Sequence, residues 1–185
     1  NFELLLDNSG PYIGAEFPKQ LGFTGDGIRI GVIDTGINLE HPDFFNSDQL
    51  SRFLKGYDFV ENDSIPQDTN GHGTQVTGII AADGQLKGIA PKVEIFSYRV
   101  SSDGESVPSD LIIKAINRAV EDRVDIINIS LGVNMTHAKI DNAVNNAIDH
   151  GIVVVAAAGN SGPDKSTIGS PARNPNAITV GATYN

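Results

Sequence analysis

Cysteine is absent from the 185-residue sequence. That excludes disulfides, zinc thiolate sites and a cysteine nucleophile, and leaves the compartment open because a secreted enzyme can lack cystines. No apolar run approaches the roughly 18 residues a membrane span requires. Basic residues are in the minority, 13 Lys and Arg against 23 Asp and Glu for a net charge of −10, which argues against a nucleic-acid or anionic-membrane partner. Aromatics are scarce at 6%, whereas 20 glycines and a hydrophobic fraction of 39% suit an α/β protein with many tight turns. At this length one buried core is expected. The start Asn1-Phe2-Glu3 carries neither an initiator Met nor a leader, so a processed or trimmed chain is expected. There are no internal repeats, low-complexity tracts or linkers.

Residues 1–24 hold short apolar groups broken by Asn8-Ser9-Gly10-Pro11 and read as a surface arm, with an α/β core over 25–185. Ile28 to Ile33 reads as a strand buried on both faces and ended by Asp34-Thr35-Gly36. From His41 to Thr69 the chain is polar and reads mostly as loop. The stretch Asn70-Gly71-His72-Gly73-Thr74 is a glycine-hinged turn opening a helix. There Val76, Ile79 and Ile80 have the spacing of a buried face, and the two glycines remove Cβ atoms that would crowd the imidazole. Val93 to Val100 reads as a strand. Ser109 reads as the N-cap of a helix with Ile112, Ala115, Ile116, Ala119 and Val120 on one stripe. A strand over Val124 to Ile129 follows, then a helix with Ile140, Ala143, Val144, Ala147 and Ile148 on one face, capped by Gly151. Ile152 to Ala158 is the most apolar strand, and Ala177 to Val180 is the last. This alternation predicts a doubly wound parallel sheet with helices on both faces.

Ligands of such a sheet sit outside the carboxyl ends of its strands. Asp34, Ser130-Leu131-Gly132 and Gly159-Asn160-Ser161-Gly162 all follow strands, and the glycine turn brings His72 to the same rim. Asp34 can accept a hydrogen bond from one imidazole nitrogen while the other takes a proton from a nucleophile. Asn160 can donate its amide to a developing oxyanion. Singly, Asp34 also reads as a strand-end turn residue, Asn160 as a Gly-Asn turn and His72 as an ordinary surface or core histidine; together they favour chemistry. His41, His137 and His150 have no partner pattern and read as surface or capping groups. Sequons occur at Asn62, Asn128 and Asn134, of which Asn128 falls in a strand.

Four segments, Gly31-Val32-Ile33-Asp34-Thr35-Gly36-Ile37 with His41-Pro42-Asp43-Phe44, Asn70 to Thr74, Asn128 to Gly132, and Ala157 to Pro163, resemble in order the motifs of subtilisin-like serine proteases. The resemblance covers roughly residues 22 to 183 and makes the chain the N-terminal portion of one catalytic domain. It implies Asp34 as orienting acid, His72 as general base and acid, and Asn160 as oxyanion donor. Ser130, Leu131 and Gly132 become an edge that takes substrate as an added strand. The connection Ser102 to Ser106, with Asp103 and Glu105, flanks substrate on the other side. Ala157, Ala158 and Gly159 wall the primary pocket, with Gly169 near its floor. A polypeptide substrate, the remaining C-terminal part of the catalytic domain as partner, and secretion or cell-surface display follow from the same resemblance, which also leaves room for an inhibitory propeptide.

The chain also departs from that pattern. Gln75 replaces a second His, with an effect expected on packing under the helix. The family's calcium loop is too short between Ala82 and Gly88, so no metal or cofactor is assigned, although Asp58, Glu61, Asp63 and Asp68 offer oxygens for a different calcium arrangement. The family's nucleophile motif Gly-Thr-Ser-Met-Ala is absent, and no Gly-x-Ser-x-Gly elbow replaces it. These residues alone are therefore expected to be inactive, with the serine outside them. The alternative is an inactive fragment or pseudoprotease that binds without cutting. Asp34-Thr35-Gly36 is also the aspartic protease pattern, but that class needs two such turns in an all-β fold. A dinucleotide site is set aside because Gly25-Asp26-Gly27 precedes the first strand.

Overall fold

The β-branched runs pair side by side, in a computed structural model that describes residues 6–45, 53–105 and 107–182. Six strands, β1 (Arg29–Asp34), β2 (Phe53–Asp58), β3 (Glu94–Arg99), β4 (Ile126–Ile129), β5 (Val153–Ala157) and β6 (Ile178–Val180), form one sheet in the order β2-β3-β1-β4-β5-β6. Every pairing is parallel. The α/β doubly wound architecture expected from the alternation is the one observed. Two short helices, α1 (Leu6–Tyr12) and α2 (Glu16–Gln20), precede the sheet, and α2 buries no residue.

Helices α4 (Ser109–Glu121) and α5 (Ala138–Asp149) cover one face. Ile112, Ile116, Ile140 and Val144 meet Ile33, Tyr98, Ile127 and Ile129 in one cluster with no side chain exposed. Each such Ile contributes about 1.5–3 kcal/mol by leaving water. Gly31 makes room for this layer, because a Cβ there would lie 3.0 Å from the Tyr98 ring. Helix α3 (His72–Ala81) covers the opposite face, where Ala81 joins Ile30, Ile37, Phe44 and Ile95.

Several sequence expectations need correction. The reading of 41–69 as mostly loop missed β2 and a 3-10 turn at Pro42–Phe44; residues 46–52 lie outside the described residues. In α3 the buried face is Gly73, Thr77 and Ala81, while Ile79 is 52% exposed. Only small residues fit, since the helix start lies against the turn after β1: a Cβ on Gly73 would sit 2.2 Å from the Gly36 carbonyl oxygen. Gly71 serves a different need, the left-handed φ of 107° that turns the chain into the helix. Neither glycine is there to relieve the imidazole. Gln75 is exposed and so does not pack under the helix. Ser109 begins α4 but does not cap it; Pro108 holds that position in extended conformation. Strand β5 buries Val154 and Ala156 only, with Val153 44% exposed, and β6 is exposed throughout.

Other expectations hold. Gly151 ends α5 with a φ of 82°. The capping reading of the three remaining histidines is observed: Nδ1 of His41 accepts from Asp43 N, Nδ1 of His137 accepts from Ile140 N, and His150 contacts the Asn146 carbonyl at the end of α5.

Candidate active site

Strand β1 ends on Asp34, which is 1% exposed. Its Oδ1 accepts the Thr35 backbone N–H at 2.7 Å and lies 2.7 Å from Nδ1 of His72, the first residue of α3. A carboxylate only accepts, so the imidazole proton at this contact is on Nδ1. Asp34 Oδ2 is buried without a partner among the described residues. Burial pushes the Asp34 carboxyl above its usual range, against the opposing pull of the His72 and Thr35 hydrogen bonds. The His72 side chain is 49% exposed. Its Nε2 is left for another partner.

His72 and Asp34 open into a cavity of about 380 Å³ at the carboxyl ends of the strands. Most residues expected at the rim line it: Ser130, Leu131 and Gly132 after β4; Ala157, Ala158, Gly159 and Asn160 at and after β5; and Gly169 and Glu105. Asp103 does not. Its Oδ1 accepts from Glu105 N and from the Ser101 hydroxyl, both within its own loop. Ser106 lies outside the described residues. Gly169 lines the cavity at a point with no room for a side chain. A Cβ on it would fall 1.7 Å from the Val133 carbonyl oxygen and 2.7 Å from the Met135 N–H. The adjacent Ser170 exchanges backbone bonds with the same segment, its carbonyl accepting Val133 N–H and its N–H reaching Met135 O. Val107, Asn134 and Thr167 also line the cavity and carried no sequence pattern that singled them out for it, whereas Thr35 lines it as part of the motif that holds Asp34.

Among the described residues four serines line the cavity, and each hydroxyl is engaged elsewhere. Ser101 contacts Asp103 and accepts Gly104 N–H, Ser130 accepts from the Asn128 amide, Ser161 reaches Asn134, and Ser170 accepts His137 N–H. Three of the acids considered for calcium are engaged in bonds of the fold. Asp58 pairs with Arg99, Asp63 accepts Ile65 N–H, and Asp68 accepts N–H groups of the His72 turn. Among the described residues no group of three or more His, Asp or Glu converges as a metal site.

Residues 25–185 match the description of the Subtilase family. The chain belongs to that family. It is 41% identical to the minor extracellular protease Vpr of Bacillus subtilis (strain 168), over 96% of this chain and 23% of that protein. It is 44% identical to the thermophilic serine proteinase of Bacillus sp. (strain AK1), over 84% and 38% respectively. With subtilisin DY of Bacillus licheniformis the identity is 39%, over 93% and 62%. The chain thus spans less than two thirds of the length of these relatives. The crystal structure of a cold adapted subtilisin-like serine proteinase superposes with a TM-score of 0.77 at 38% identity, over 88% of this chain and 57% of that one. A subtilase with a parallel sheet removes the aspartic protease reading, since Asp34-Thr35-Gly36 here ends a parallel strand. No helix among the described residues is long and apolar enough to cross a membrane.

Proposed function

We propose that the protein is a secreted serine endopeptidase whose proton carrier is His72, oriented by Asp34, acting on a serine supplied from outside residues 1–185. The observation that carries this reading is the 2.7 Å contact between His72 Nδ1 and a buried carboxylate. With Nδ1 held by Asp34, Nε2 takes the serine proton as the oxygen attacks the scissile carbonyl. The imidazolium so formed is stabilised by the Asp34 charge, and it returns the proton to the departing amine. Asn160 donates its side-chain amide to the oxyanion of the tetrahedral intermediate. Water then repeats the sequence on the acyl-enzyme. No step draws on a metal or organic cofactor.

The substrate is an extended polypeptide. Its backbone pairs with Ser130 to Gly132, and the loop bearing Gly104 and Glu105 bounds the opposite side. Ala157, Ala158 and Gly159, small residues on one wall, leave space for a bulky apolar side chain. A propeptide occupying the same edge would inhibit by the same pairing. The extracellular assignment rests on similarity to relatives such as Vpr.

One observation favours a second reading, a cleft that binds peptide without cutting it: the four cleft serines among the described residues are all engaged elsewhere. Incubating the complete protein with an unfolded polypeptide, and analysing products by mass, separates the two. Hydrolysis that disappears in His72→Ala supports the protease. Retention of intact peptide by a complete protein that never cleaves it supports the binding module.

A further inference from the structure

The carboxylate of Asp68 gathers five hydrogen bonds. Its Oδ1 accepts Asn70 N–H and Gly71 N–H, each at 2.9 Å, and the Thr35 hydroxyl at 3.0 Å. Its Oδ2 accepts Thr74 N–H at 2.9 Å and the Thr74 hydroxyl at 2.5 Å. Thr35 works in three directions. Its N–H donates to Asp34 Oδ1, its hydroxyl donates to Asp68, and its hydroxyl oxygen accepts Gly73 N–H at 2.8 Å.

These bonds join the end of β1 to the start of α3. The first N–H groups of a helix have no partner inside it. Here Asp68 takes those of Gly71 and Thr74, Thr35 takes that of Gly73, and the Asn70 side chain takes that of His72. The backbone on both sides of the imidazole is thereby tied to one carboxylate, and the same carboxylate is tied through Thr35, whose N–H donates to Oδ1 of Asp34, to the acid of the pair. Burial alone would raise the Asp68 carboxyl, but the bonds from Gly71, Thr74 and Asn70 outweigh it and hold the group below its usual range. It is an anion at neutral pH.

We propose that Asp68, acting through Thr35 and the first turn of α3, is a positioning residue that sets the His72–Asp34 distance on which the proposed proton relay depends. This rests on the proposed function for its kinetic consequence but not for its geometry. A misplacement of about 1 Å at a reacting group costs on the order of 100-fold in rate. In Asp68→Asn one oxygen becomes an NH₂ group, which cannot accept from Thr74 and leaves the helix start loose.

The test uses the complete protein with ¹⁵N-labelled histidine. In the wild type, the Nδ1–H proton of His72 is expected as a separate, strongly downfield resonance that Asp34→Ala removes. Asp68→Asn should broaden or remove it while the protein remains folded, and kcat should fall by about 10- to 100-fold with KM little changed. Thr35→Val should show the same defect, Thr35→Ser should restore the resonance, and the double variant Asp68→Asn with Thr35→Val should be no worse than either alone. If Asp68→Asn fails to fold, the contrast between Thr35→Val and Thr35→Ser decides. A folded Asp68→Asn protein with the wild-type resonance and kcat overturns the proposal, as does a Thr35→Val protein indistinguishable from Thr35→Ser. A wild type that never cleaves peptide refutes the protease reading but leaves the resonance as an independent measure of positioning.

Discussion

Two carboxylates end strands on the same rim of the sheet, each 1% exposed, and they are put to opposite uses. Asp58 closes β2 and Asp34 closes β1, with β3 between them; Arg99, the last residue of β3, is in register with both. Arg99 turns to Asp58. Its Nη1 lies 2.6 Å from Oδ2, while Asp58 Oδ1 accepts Val60 and Glu61 N–H. Every oxygen of Asp58 is thus satisfied by a fixed partner, and the arrangement serves the fold. Among the described residues Asp34 pairs with no arginine. It holds one half-exposed imidazole and a backbone N–H, and its second oxygen has no partner among those residues. A carboxylate neutralised by a permanent guanidinium would respond little to a proton arriving at His72. One left under-compensated can stabilise an imidazolium strongly. The difference shows how a single sheet edge separates structural from chemical charge by choosing which neighbour Arg99 faces.

The largest effect should come from the chemical side. Asp34→Asn keeps size and removes charge, and should lower kcat of the complete protein by about 10⁴-fold while shifting the melting temperature little, as read by initial rates and thermal unfolding. The structural side should answer in the reverse sense. Arg99→Met leaves Asp58 buried and unpaired and should cost about 3–5 kcal/mol in urea unfolding, with kcat per folded molecule nearly preserved. Asp58→Asn would sharpen the contrast further. It frees Arg99 to turn toward its other register partner, so both stability and kcat should fall.

A smaller effect is expected on the far wall. Gly169→Ala forces a methyl against the backbone of Val133 and Met135 and should destabilise by about 1–3 kcal/mol. Because the segment shifts as a whole, hydrolysis of substrates with large and small side chains should fall alike. A selective loss for large ones would mean that Gly169 acts as a pocket floor.

The smallest effect is a matter of sign. Asp68 is held below its unfolded value, near 3.9, so its stabilisation is present above that pH and is lost as pH falls through its folded value. The stability gap between wild type and Asp68→Asn should therefore close on acidification. Asp34 is raised, so the folded state takes up its proton first, and the cost of its buried charge is relieved as pH falls through the folded value toward about 3.9. Relative to Asp34→Asn, the wild type should gain stability on acidification in that window. Melting curves across the acid range check both directions.

How much of this was legible in the sequence depended on what kind of force placed each residue. Strand ends are set by hydrophobic runs, so Asp34, Ser130 and Asn160 could be assigned to one rim from the order of apolar segments, and the fold class followed. Strand β2 was hidden because Lys55, Gly56 and Asp58 interrupt its apolar content, and because its stabilising partners, Asp122 for Lys55 and Arg99 for Asp58, are distant in sequence. The face of α3 was misread for a steric reason: the close approach to Gly36 selects Gly73, Thr77 and Ala81 over the more apolar Ile79. Asp103 and Asp68 show the same limit in side chains. An acid near a cleft can fold its own loop, as Asp103 does, or tie two segments together, as Asp68 does, and residue type cannot tell these apart.

The proton relay itself is tested most directly by a serine-reactive fluorophosphonate, with the adduct mapped by mass spectrometry on the complete protein and on its His72→Ala variant. The account predicts a single modified serine outside residues 1–185, formed rapidly in the wild type and almost not at all in the variant. Modification of a serine within residues 1–185, or labelling that proceeds equally well without His72, would contradict it.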